Sequence, residues 1–292
     1  PSKGGPGGVD GTGGGAGGAT AVIWIDGALV DDDAASVSAL DHGITVGDGV
    51  FETLKVVGRR PVARRRHLDR LARSATTMGF ELPDRGVLER ALDEVVAAND
   101  LADCRLRLTV TTGAGPLGSG RAPSTPTVLA AVAPLEPVAP TTDVITVPWV
   151  RNERSPLAGV KSTSYGENVI ALARARAAGA SEAIFANTRG ELCEGTGSNV
   201  FVVVDGEVVT PPLASGCLAG IARELVLESS IVSERPLPLE VLARADEVFL
   251  TSSIRDVQAV ASVDGRALVA PGPRTKAASA AYAARLDISL DP

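Results

Sequence analysis

Between Pro134 and Asp143 the chain reads PLEPVAPTTD, with three prolines set among polar residues. Proline fixes φ and offers no amide hydrogen, so neither a helix nor a central strand can run through such a stretch. The break divides the sequence in two, and each half mixes strand-like alternation with helix-like periodicity. That predicts two α/β units, residues 21–135 and 142–292, joined by a linker at 136–141. With 292 residues, 45% of them hydrophobic, the chain can give each unit its own core. Only 3% of residues are aromatic, so those cores must be built from Ala, Val, Leu and Ile.

The formal net charge of −7 would repel nucleic acid and anionic membranes, which leaves a small molecule as the expected partner. Cys104, Cys193 and Cys217 are an odd, widely spaced set without a C-x-x-C pair, which argues against a disulfide framework and a zinc site. A cytoplasmic location is expected on that ground. His42 and His67 are the only histidines, so a histidine-rich metal centre is excluded and no metal is expected. No apolar stretch is long enough to cross a bilayer. Residues 1–20, rich in glycine and lacking apolar periodicity, are expected to form a disordered arm with no signal-peptide core.

From Val22 the pattern is a hairpin turning at Asp26-Gly27. The segment 41–62 holds Gly47 and Gly49 ahead of a β-rich run, where both read as turn residues. A helix follows Ala63 with Leu68, Leu71, Ala75 and Met78 on one stripe and Arg66, Arg70 and Arg73 on a neighbouring face. Most of those arginines read as a solvated face, with one or two reserved for an anionic ligand. A helix over 84–99 leads into a strand over 104–112, whose alternation sends Arg105 and Arg107 to the same side. They line either an anion site or a solvated edge.

The run Gly113-Ala114-Gly115-Pro116-Leu117-Gly118 matches G-x-G-x-x-G after a strand. Pro116, Pro123 and Pro126 leave no room for the helix that would hold a pyrophosphate there, so a mobile loop is predicted instead. In the second half Lys161 ends a short β-prone run, after a Pro and a Gly and before a tyrosine and a helix. Such a lysine is placed for Schiff-base chemistry, since a lysine withdrawn from water is nucleophilic near neutral pH. Glu194 stands at the rim of a strand near Leu192 and Phe201. Gly216 and Gly220 precede a helix beginning near Ile221, whose free N–H groups could hold a phosphate.

Six segments in order, GDGVFETL (47–54), HLDRL (67–71), PLAGVKSTSYGENVIA (156–171), EGTGSNVF (194–201), GIAR (220–223) and FLTSS (249–253), resemble the class IV aminotransferase family of fold-type IV pyridoxal-phosphate enzymes. The resemblance runs from about Val22 to Val260 and implies a two-domain α/β (α+β) fold with pyridoxal 5'-phosphate in the cleft between domains. It makes Lys161 the residue that attaches the cofactor and then moves the substrate proton. Glu194 would face the pyridine nitrogen and Tyr165 the ring hydroxyl. Arg70, the backbone of Ile221 and Ala222, and the hydroxyl of Ser253 would hold the phosphate.

The substrate, a small carboxylate, would meet Arg107 and Arg105, with Phe51 and Ile254 beside it, and Thr53 would join Lys161 as a catalytic residue. A homodimer is implied on the same basis. Within the family, Thr53, PLAGVK and the loop from Gly113 to Gly120 resemble 4-amino-4-deoxychorismate lyase, which places the chain in a folate-type pathway. Thr112 and Thr163-Ser164 depart from the lyase pattern. The alternatives are a branched-chain or D-amino acid aminotransferase and, further off, a scaffold that binds cofactor without catalysis. His67 is read as a structural residue.

Overall fold

The computed structural model describes residues 21–292; the arm expected over residues 1–20 lies outside them. Two sheets organise the chain, and they meet at the proline-rich break. The first has six antiparallel strands in the order Ala28–Asp31, Val22–Ile25, Val128–Pro134, Cys104–Thr111, Gly49–Val57 and Arg60–Pro61. The second, mixed, has nine, and its path begins at Ser233–Glu234 and runs through Glu207–Thr210, Asn199–Val204, Glu247–Ser252, Asp256–Val263, Thr141–Arg151 and Glu182–Asn187 to Leu192–Gly195. Strand Thr141–Arg151 begins at the last residue of the expected linker.

In the first sheet, alternation along Gly49–Val57 sends Val50, Leu54 and Val56 into a core shared with Leu68, Leu71, Leu88 and Leu92. Those leucines come from helices Arg64–Met78 and Arg85–Ala98, which pack on that face. Helix Arg64–Met78 stops at Gly79, whose left-handed φ of 73° lets its N–H cap the carbonyls of Ala75 and Thr76. Each fully buried leucine of this kind contributes about 1.5–3 kcal/mol relative to exposure. The opposite face carries Phe51, Thr53 and Lys55, with Thr53 in register with Arg107 and Lys55 with Arg105.

The second sheet is covered on one face by apolar residues that include Leu237, Val241 and Leu242. On the other face lie helices Ile221–Ser229 and Pro273–Ile288, with Phe201 and Phe249 stacked at 4.7 Å between ring centres. Val62 and Ala63 of the first half join that second cluster, and the Ala63 N–H donates to the Leu290 carbonyl at 2.6 Å. A Lys55–Asp256 ion pair also ties the two sheets together.

Residues 113–127 form no helix, as the prolines require, so the dinucleotide reading of that stretch fails. The segment is fastened nonetheless. Arg121 makes a double hydrogen bond to Asp48 (2.6 and 2.7 Å) and donates to the Gly79 carbonyl, and buried His42 lies 2.8 Å from the Pro116 carbonyl oxygen. The expectation of a mobile loop overlooked these partners because each is distant in sequence. Three buried cysteines are free. Among the described residues no helix is long and apolar enough to cross a membrane.

Candidate active site

A cavity of about 740 Å³ opens between the two sheets. Lys161 enters it from a loop rather than from the strand end that the β-prone run suggested, because regular pairing of strand Thr141–Arg151 ends ten residues earlier. What holds the lysine is the first half of the chain. The Phe51 N–H donates to the Lys161 carbonyl (3.0 Å) and the Thr163 N–H to the Gly49 carbonyl (2.8 Å), so the loop docks along strand Gly49–Val57. Gly47 is more than a turn residue. Its carbonyl accepts from Thr163 Oγ1 and Ser164 Oγ, and a Cβ there would lie 2.5 Å from Ser164 Oγ.

The lysine Nζ lies 4.3 Å from the centre of the Phe51 ring and 5.7 Å from that of Tyr165. Burial pushes its ammonium down to about 8; Arg70 adds to the shift and Glu52 opposes it. The Tyr165 hydroxyl donates to the Thr196 carbonyl at 3.1 Å, and the ring meets Phe51 edge to face.

At one end of the cavity Glu194 accepts a hydrogen bond from the Leu218 N–H (2.9 Å), and Arg151 Nε stands 3.4 Å from its other oxygen. Burial pushes the Glu194 carboxyl up, and Arg151 opposes that shift. Arg151, which lies over the Phe185 ring, was not singled out from the sequence. It follows a tryptophan and a valine in what reads as an ordinary strand end, so no local signal marked it.

At the other end Arg70 is only 4% exposed and spends most of its guanidinium inside the protein. Nε and NH2 donate to Glu52 (2.8 and 2.6 Å), and NH1 donates to the Ala219 carbonyl (2.9 Å). Burial works against ionising Glu52, yet Arg70 and His67 overcome it and hold the carboxyl down at about 2. Glu52 was missed in the sequence, although an acid at a core position between Val50 and Leu54 is a legible signal. Of the arginine face expected on this helix, only Arg70 is buried. Arg66 turns to Glu228 (2.7 and 2.9 Å), and Arg73 is exposed.

Helix Ile221–Ser229 starts beside Arg70 with Gly220 as its N-cap and no side-chain cap, so its first N–H groups face the cavity at Ile221 and Ala222. A Cβ at Gly220 would lie 2.0 Å from Asn199 Oδ1, which only glycine avoids. Ser253 and Ile254 complete this wall, and Ser253 Oγ lies 3.3 Å from His67 Nε2. Thr53 and Arg107 line the mouth, with the Arg107 guanidinium 3.8 Å over the Phe51 ring.

Arg105 is not part of the cavity wall. It lies on the same strand face as Arg107 but about 7 Å further along, beside Lys55, so alternation alone could not separate the two. The loop from Gly113 to Gly120 is likewise absent from the wall.

The residues fit a flat group with a basic ring nitrogen at one end and a dianion at the other. An uncapped helix start with an arginine beside it suits a phosphate. A buried carboxylate suits a protonated ring nitrogen. The Thr251 hydroxyl, buried in the same wall, has no hydrogen-bond partner among the described residues.

Residues 49–263 match the family described as Amino-transferase class IV. The chain belongs to the class IV aminotransferase family. Members use pyridoxal 5'-phosphate, and the chain is an enzyme of that kind. It is 35% identical to a putative branched-chain-amino-acid aminotransferase of Methanocaldococcus jannaschii, over 84% of this chain and 89% of that protein. It is 32% identical to the D-alanine aminotransferase of Bacillus licheniformis, over 87% and 93% respectively. Among solved structures, the branched-chain aminotransferase of Thermoproteus uzoniensis with norvaline superposes with a TM-score of 0.84 at 30% identity, covering 90% of this chain and 94% of that one. None of these class IV relatives is described as an aminodeoxychorismate lyase.

Proposed function

We propose that this class IV aminotransferase moves the amino group of branched-chain amino acids to a keto acid. The observation that carries the reading is the cavity around Lys161. A cationic cradle and a buried carboxylate stand at its two ends, and Phe51, Leu157, Val160 and Ile254 give it apolar wall suited to an aliphatic side chain. The likeness to the M. jannaschii protein supports the choice. The likeness to a D-alanine aminotransferase supports a second reading, in which the donor is a D-amino acid.

In this reading Arg70, the Ile221 and Ala222 N–H groups and Ser253 hold the phosphate. Glu194 keeps a proton on the pyridine nitrogen and Tyr165 contacts the ring hydroxyl. When bound, the cofactor supplies an electron sink conjugated to the substrate amine. Lys161 Nζ, partly neutral near its depressed pKa of about 8, takes the proton from the substrate carbon and can return it elsewhere. Phe51 and Tyr165 keep water from one side of that amine. Arg107 at the mouth receives the substrate carboxylate, and Thr53 in register with it shapes the same wall.

The lyase expectation loses one of its supports, because the glycine-rich loop that suggested it lies away from the cavity. Assembly as a homodimer, which the family resemblance implies, would be tested by light scattering.

A panel of amino donors with 2-oxoglutarate as acceptor tests the substrate. Transfer from L-valine, L-leucine and L-isoleucine is expected to exceed transfer from D-alanine. Release of 4-aminobenzoate and pyruvate from aminodeoxychorismate, without amino transfer, would overturn the reading; a preference for D-alanine would establish the second.

A further inference from the structure

Of the buried ionisable side chains at the Arg70 end of the cavity, His67 has no role among those assigned above. His67 stands three residues before Arg70 on helix Arg64–Met78, and its ring bridges two groups from opposite sides. Nδ1 is 2.6 Å from Glu52 Oε2 and Nε2 is 3.3 Å from Ser253 Oγ. The charged groups that act on it are Glu52 from the strand of the first sheet, Arg70 from its own helix and Lys161 from the docked loop. Apolar Ile221, Ala222 and Leu225 of helix Ile221–Ser229 line a small cavity with it, as does Tyr282 of the C-terminal helix, whose hydroxyl lies 3.4 Å from Asp256.

Two protonation states of the ring satisfy both of its contacts. Ionised Glu52 can only accept, so Nδ1 must carry a hydrogen. If the ring is neutral, Nε2 is a lone pair and the Ser253 hydroxyl donates into it. The serine then offers the helix start nothing but oxygen lone pairs. If the ring is doubly protonated, Nε2–H donates to Ser253 Oγ, and the hydroxyl hydrogen is free to point at an anion.

We propose that His67 is a positioning residue that takes up a proton from solvent when a phosphate dianion occupies the Ile221 helix start, so that Ser253 turns from facing the site as an acceptor to facing it as a donor. This rests on the reading of that end of the cavity as the phosphate site. Burial, Arg70 and Lys161 hold the free ring below its ordinary range, and Glu52 opposes them. A dianion one hydroxyl away adds two negative charges on the side that favours the cation.

The experiment uses the fact that the chain has only two histidines. With histidine ring carbons labelled, the His67 resonance is assigned by its loss in His67→Gln, and His42 serves as an internal reference. The expected result is a His67 ring that stays cationic in the holoenzyme at about pH 7 and is neutral in the same protein stripped of cofactor, a pKa difference of at least about one unit. Adding pyridoxamine 5'-phosphate to the stripped protein restores the cation, whereas pyridoxamine without phosphate leaves the ring neutral. In His67→Gln, whose amide does not titrate, the fall in affinity for pyridoxamine 5'-phosphate with rising pH is expected to be smaller than in the wild type.

A ring of unchanged charge in the presence of bound pyridoxamine 5'-phosphate overturns this proposal alone. Failure of pyridoxamine 5'-phosphate to bind at all overturns the phosphate reading and this proposal with it. Both comparisons use the wild-type chain, and since the chain has only two histidines the assignment can also be made from His42→Gln, so they hold even if His67→Gln does not fold.

Discussion

The two ends of the cavity are built on opposite plans. At the Arg70 end every buried charge is compensated within the protein: Glu52 receives two bonds from Arg70 and contacts His67, and the remaining arm of Arg70 is tied to Ala219. At the Glu194 end one backbone N–H and a 3.4 Å approach by Arg151 are the compensation, and the Arg151 Nε makes no hydrogen bond. The contrast separates two tasks. The first end is assembled by folding and presents a rigid cradle. The second holds a carboxylate whose burial favours protonation, a state that a neighbouring cation can reverse.

Lys161 lies between the two ends, and substituting it gives the largest effect. Lys161→Ala should lower amino transfer by at least about 10³-fold, the scale of losing a positioned proton carrier. Its cofactor-free form should be no less stable than the wild type near pH 7, since the buried ammonium gains no ion pair from folding; a variant that retains aldimine absorbance would place the attachment elsewhere.

Glu52→Ala tests whether the Arg70 end is structural in origin. It leaves a buried guanidinium and a buried imidazole without their acceptor, and urea unfolding should show a loss of about 3–5 kcal/mol. A loss below about 1 kcal/mol would mean that the pair acts as an exposed one.

Glu194→Gln should reverse that pattern. Turnover is expected to fall about 10²-fold, comparable with removing one electrostatic stabiliser, while stability is unchanged or slightly raised because an undercompensated buried carboxylate disappears. Equal losses of stability at Glu52 and Glu194 would erase the distinction between the ends.

The lysine also gives cofactor-free protein a pH signature. Because the folded pKa of about 8 lies below the ordinary 10.5, the unfolded chain binds more protons between those values. Charged Lys161 therefore costs stability fully below pH 8, and stability should rise from about pH 8 to 10.5 in the wild type but less steeply in Lys161→Ala, as read from melting temperatures. The smallest effect is expected outside the cavity. Arg121→Ala removes a half-exposed pair with Asp48 and should shift stability by no more than about 1 kcal/mol, with turnover unaffected.

Much of this arrangement was legible in the chain because it depends on local pattern. The helix start at Ile221 and the strand that carries Arg105 and Arg107 appear where the local pattern places them. What was not legible depends on pairing across the two halves. Phe51 and Lys161 share a backbone hydrogen bond although they are far apart in sequence, so nothing near either residue announces it. Gly47 passed for a turn residue because the Thr163 and Ser164 hydroxyls that its carbonyl accepts from lie in the other half. Arg105 and Arg107 are equivalent by alternation and differ only in what stands opposite the strand. Glu52 and His67 could have been found: an acid interrupting an apolar face asks for a buried cation, and two candidates lie on the next helix.

The central claim is that Lys161 is the residue that carries the cofactor's chemistry. Reduction of the holoenzyme with borohydride, followed by peptide mass mapping, tests it most directly. A phosphopyridoxyl adduct on Lys161, lost when L-valine is added before the reductant, is the predicted result. An adduct on Lys55 or Lys276, or a Lys161 that stays unmodified in protein saturated with pyridoxal 5'-phosphate, would contradict it.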